Sequence, residues 1–127
     1  MRAEGTANQS FTSWKLHLLD AISMDPRVTA TEFRVAYRLL QHANAETKAI
    51  FPSQERIASQ IGAKERAVRA AIAGLVEKRW LTISRPNRRL PNLYRFETRN
   101  VNAILDRQIS LDDARKQERA SRGRPVF

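Results

Sequence analysis

Near residue 80 the spacing of apolar side chains changes, and few folds accommodate that change in so short a chain. Before it, apolar residues recur at helical spacing: Phe33, Ala36, Tyr37 and Leu40, then Ile57, Ala58 and Ile61, then Val68, Ile72, Leu75 and Val76. After it, Leu81 and Ile83 alternate with Thr82 and Ser84, and later Tyr94 and Phe96 alternate with Leu93 and Arg95. That is the period of a strand. Two such strands around the proline-bounded basic segment Arg85–Pro91 predict a hairpin with a long loop. The chain has 127 residues, enough for one domain with a modest core. The expected class is therefore mainly α with a small β-hairpin, an α+β protein.

Local signals punctuate the helices. Phe11, Trp14, Leu18, Leu19 and Ile22 predict a first helix over 11–23, stopped by Asp25-Pro26. Thr29 to Glu32 has the form of a capping box, with Val28 and Phe33 placed as a hydrophobic staple. The following helix is predicted from Ala30 to Asn44. Ile50-Phe51 reads as a short β-like pair. Ser53 is placed to cap the next helix, and Gly62 to end it in the left-handed conformation. A further helix is predicted over 64–79. Trp14 and Trp80 sit beside apolar periodic neighbours and are expected as core anchors. Val101, Ile104, Leu105 and Ile109 make a last short stripe. The expected organisation is a mobile 1–10, a domain over 11–109, and a polar basic tail over 110–127 without fixed structure.

Charge points to the partner. Lys and Arg outnumber Asp and Glu by 23 to 13, a formal net charge of +10. The excess is concentrated between residues 49 and 99, with eleven basic residues against four acidic ones. An anionic polymer is the expected partner of such a surface. Without cysteine there is no disulfide, thiolate zinc site or cysteine nucleophile. No apolar run approaches the length of a spanning helix, and no hydrophobic stretch follows Arg2 as in a signal peptide. A cytoplasmic, nucleoid-associated protein that makes no membrane contact is expected. His17 and His42 are far apart, and four glycines form no phosphate loop. The expectation is a protein that is not an enzyme, with no cofactor, no metal and no small-molecule ligand.

The order helix, short strand, two helices about a glycine turn, then basic hairpin is that of a winged helix-turn-helix. Ala58 supplies the small residue where two helices cross, Gly62 the sharp turn, and Val68 and Ile72 the branched residues packing back. Residues 28–96 resemble the winged helix-turn-helix family of bacterial transcription regulators and plasmid or phage replication initiators. The segment Phe51-Pro52-Ser53-Gln54-Glu55-Arg56-Ile57-Ala58 and the ending Asn92-Leu93-Tyr94-Arg95-Phe96 are similar to the initiator-like members. The turn Gly62-Ala63-Lys64-Glu65 departs from the pattern, lacking the usual Ser or Thr cap of the recognition helix.

The resemblance implies that the helix after the turn enters the major groove of double-stranded DNA. With Val68 inward, Arg66, Ala70 and Ala73 fall on the opposite face and Arg69 on its flank. Arginines there suit guanine O6 and N7 or phosphate, small alanines permit close approach, and Lys64 suits phosphate. Arg85, Asn87, Arg88 and Arg89 are the expected contacts of the wing, with phosphate or the minor groove. Ser53 and Gln54, at a helix N-terminus, are placed to donate to a phosphate. An RNA-binding module and a protein–protein interaction domain are the alternatives. A homodimer is expected from two-fold DNA sites, with the stripes Phe11, Trp14, Leu18, Ile22 and Val101, Ile104, Leu105 as core cover or seam.

Overall fold

The period change does separate helices from a hairpin. In the computed structural model, which describes residues 2–85, 89 and 91–122, the order is α1 (Arg2–Ser23), α2 (Ala30–Gln41), α3 (Gln54–Ile61), α4 (Glu65–Glu77), β1 (Leu81–Ser84), β2 (Leu93–Phe96) and α5 (Arg99–Arg122). The strands pair antiparallel, with Leu81 opposite Phe96 and Ser84 opposite Leu93. Ile50 forms an isolated bridge to Tyr94, so of the β-like pair expected at 50–51 only Ile50 docks on the hairpin, and Phe51 is exposed. The architecture is a helical α+β fold with a two-stranded wing.

The caps act as their residue types dictate. Thr29 accepts from the Glu32 amide at 3.1 Å while Glu32 accepts from the Thr29 amide at 3.0 Å. Ser53 caps α3 by accepting from the Arg56 amide at 3.1 Å. Gly62 closes α3 at φ 68°, and the Ala63 amide returns to the Ala58 carbonyl at 3.0 Å. Lys64 makes no side-chain cap to α4, which begins one residue later than expected, at Glu65.

The core lies where α2, α3 and α4 meet the base of the wing. Val35, Leu39, Leu40, Ile57, Val68, Ile72, Leu75, Trp80, Leu81 and Tyr94 are buried. Of the apolar periodic residues expected to face it, Phe33 and Ile61 are only partly buried, and Val76, Tyr37 and Ile83 are exposed. Tyr37 is 44% exposed, its ring beneath the Arg38 guanidinium, because α2 turns its aliphatic edge, Val35, Ala36, Leu39 and Leu40, to the core. Ile83 is 41% exposed, since the strand has by then run past the helices that cover Leu81.

Both terminal helices are longer than apolar periodicity predicts. The stretch expected to be mobile before Phe11 is helical from Arg2, although Gly5, Thr6, Asn8 and Ser10 are poor helix formers. The tail expected to lack structure continues α5 to Arg122, for no Gly or Pro interrupts 99–122. Arg115 pairs with Asp112 at 2.7 Å, and Arg122 pairs with Glu118, one helical turn apart in each case. Leu18, Ile22 and Ile104 join the core, with Trp14 and Val101 packed on it. Those apolar stripes therefore cover this domain's own core.

Candidate nucleic-acid interface

Helix α4 has two contrasting faces. Its inner face buries Val68, Ala71, Ile72 and Leu75 against α2 and α3. Its outer face exposes Arg66, Arg69, Ala70 and Ala73, as the helical projection predicts. The two alanines leave the backbone close to whatever approaches, and the two arginines flank that low ground. Arg69 Nη2 lies 3.6 Å from a Glu65 carboxylate oxygen, a pair one helical turn apart. Lys64 is exposed at the head of the helix.

A groove runs from the head of α4 to the wing. Ser53, Gln54, Glu65, Arg85, Asn92 and Tyr94 line it. The structure thus brings Ser53 and Gln54 beside Arg85, residues 31 positions or more apart in sequence. The Tyr94 hydroxyl anchors the floor, 3.5 Å from both the Gln54 and the Asn92 amide nitrogens. Ser53 already accepts the Arg56 amide, so it caps α3 and keeps its hydroxyl proton and one lone pair for a partner. Arg89 is exposed in the hairpin loop. Asn87 and Arg88 lie outside the described residues.

Behind this surface a buried polar cluster fixes how helix and wing meet. Asp25 is 3% exposed and accepts from Trp80 Nε1 at 2.8 Å, Arg27 Nη2 at 2.7 Å and the Arg27 amide at 3.0 Å. Burial pushes its carboxyl pKa up, but those donors outweigh burial and hold it at about 2. The same pairing raises the Arg27 guanidinium. Beside it, Lys78 Nζ donates to both Glu32 oxygens at 2.6 and 2.7 Å. A Cβ on Gly74 would stand 2.0 Å from Glu32 Oε2, which is why glycine occupies the middle of α4. Asn100 Nδ2 then ties α5 to the Lys78 carbonyl at 2.9 Å.

Sequence reasoning missed this cluster and the groove-lining Glu65, Asn92 and Tyr94. A buried carboxylate carries no periodicity; the one local clue was Asp25 two residues before Arg27.

Residues 28–81 match a family described as a helix-turn-helix domain. The similarity is to the helix-turn-helix family and covers rather less than half of the chain. No curated protein matches the chain. The matched span contains α2, α3, the Gly62 turn and α4 and ends as β1 begins, so the helix-turn-helix carries both arginines of the outer face. It is an architecture that places its second helix in the DNA major groove. No described helix is long and apolar enough to cross a membrane, and no cluster of potential metal ligands occurs among the described residues.

Proposed function

We propose that this protein binds double-stranded DNA sequence-specifically through α4 and the wing, as a cytoplasmic transcription regulator or replication-initiator-like protein. The observation that carries the reading is the outer face of α4. Arg66 and Arg69 stand over Ala70 and Ala73 on the second helix of a helix-turn-helix, with an apolar inner face holding it in place. Arg66 and Arg69 read base edges; Lys64 and the wing residues Arg85, Asn87, Arg88 and Arg89 hold the backbone. Ser53 and Gln54 offer donors to a phosphate at the head of α3.

Competition between DNA and RNA duplexes of equal length tests this directly. A-form RNA closes its major groove to a helix, so DNA should win and binding should weaken steeply with salt. RNA winning would favour the RNA-binding alternative. Absence of salt-dependent binding to either would leave a protein–protein module. Two copies on a two-fold site are the favoured assembly. Sedimentation showing a monomer at every micromolar concentration, with footprints of a single half-site, would refute it.

A further inference from the structure

Two acids line the groove, Glu55 on α3 and Glu65 on α4, and the second stands among the basic residues at the head of α4. Glu65 is the first residue of the helix, and its side chain is 48% exposed. Any acid in a first turn gains from the helix dipole. What is particular here is its direction: it leans towards Arg69 at 3.6 Å and lines the groove that holds Gln54 and Arg85. Lys64, Arg66, Arg69 and Arg85 all favour a phosphate backbone. Glu65 opposes it, and charges on such a surface act over roughly 8 Å at physiological salt.

A carboxylate in that position lowers affinity for duplexes in general. It is repaid where the duplex presents an amino donor. In the major groove cytosine N4 donates to a Glu carboxylate, while guanine O6 and N7 accept from arginine. The Glu65–Arg69 pair offers both complements side by side.

We propose that Glu65 is a specificity-determining residue, accepting from a cytosine N4 amino group while Arg69 addresses a neighbouring guanine. It thereby disfavours every duplex lacking that donor. The inference rests on the duplex-DNA reading above. It differs from that reading in assigning discrimination to the acid as well as to the arginines.

The test compares Glu65→Gln with Glu77→Gln, which removes an equal charge from the far end of the same helix. Selection from randomised duplexes with the unaltered protein first defines the preferred site. Binding is then measured to that site, to the site with its cytosine position changed to thymine, and to random duplex. The unaltered protein should prefer cytosine about tenfold, the scale of one good base contact. Glu65→Gln should reduce that preference to about twofold or less and tighten random-duplex binding about threefold. Glu77→Gln should do neither. Circular dichroism should show both variants folded, as exposed substitutions permit. An undiminished cytosine preference in Glu65→Gln, or equal gains in both variants, would overturn the proposal. Failure of the duplex reading is distinguishable, because the unaltered protein would then select no site at all.

Discussion

The front of the molecule and its back both carry charge, yet they spend it oppositely. At the front, Arg66, Arg69 and Arg85 are exposed around α4 and the wing. At the back, Asp25 and Glu32 are buried and each is held by cationic and neutral donors. An exposed ion pair contributes little to stability, as with Arg69 and Glu65. Breaking a buried pair strands a charge out of water and costs several times more. The comparison teaches that charge on the front is available to a partner, whereas charge at the back fixes the frame. Substitutions at the back should therefore change stability, and those at the front should change binding.

Lys78→Ala is the hardest break of that division. Glu32 would lose both hydrogen bonds from Lys78 Nζ while remaining among α2, α4 and the capping box. Urea unfolding should show a loss of about 3 kcal/mol. Lys78 also bears charge, so binding by the folded fraction is the deciding control. Unchanged stability with weakened DNA binding would move Lys78 to the front.

Asp25 ties stability to acid. Its carboxyl titrates at about 2 in the fold against 3.8 in an unfolded chain. A lowered folded pKa gives stability that is fully present above the unfolded value and is lost as pH falls through the folded one. Between pH 4 and 2 the protein should lose about 2 kcal/mol from this group. Asp25→Asn should flatten that part of the pH–stability profile, measured by thermal unfolding. An identical profile in the variant would show that other carboxylates govern the acid transition.

At the front, Arg66→Ala or Arg69→Ala should each weaken the preferred DNA site by about 1–3 kcal/mol, with random duplex affected less. Stability should stay within about 0.5 kcal/mol of the unaltered protein. Equal loss on preferred and random duplex would reduce these arginines to phosphate contacts.

The sequence made the front far more legible than the back. Period, caps and the glycine turn located α2, α3, α4 and the wing, because each is a local rule acting over a few residues. The face of α4 followed from Val68 alone, since helical geometry fixes its opposite side. The back is assembled from residues 25, 27, 32, 78, 80 and 100, which no local rule connects. Tyr37 shows the same limit. Its aromatic ring suits the core, but the closer crossing of aliphatic neighbours decided which edge of α2 turned inward. The end of α5 departs from expectation for another reason. Helix propensity without an apolar stripe is silent to periodicity, and α5 beyond Ile109 is such a segment.

The smallest expected effect lies at the seam between front and back. α4 ends in a Schellman arrangement: the Trp80 amide donates to the Leu75 carbonyl at 2.9 Å and the Arg79 amide to Val76 at 3.0 Å. That motif places Arg79 in the left-handed region, at φ 64°, where a Cβ is disfavoured and glycine is at ease. Arg79→Gly relieves that strain but gives the unfolded chain more freedom, so the net gain should be modest. Stabilisation of about 0.5 kcal/mol is expected in urea unfolding, since the two contributions partly cancel. DNA affinity should hold for the preferred site, because Arg79 lies at the end of α4 away from Glu65 and the groove. A more stable variant with unchanged site affinity would place Arg79 with the frame. A variant that is more stable yet binds its site several-fold more weakly would instead extend the interface to the far end of the recognition helix, and the boundary between front and back would have to be redrawn through residue 79.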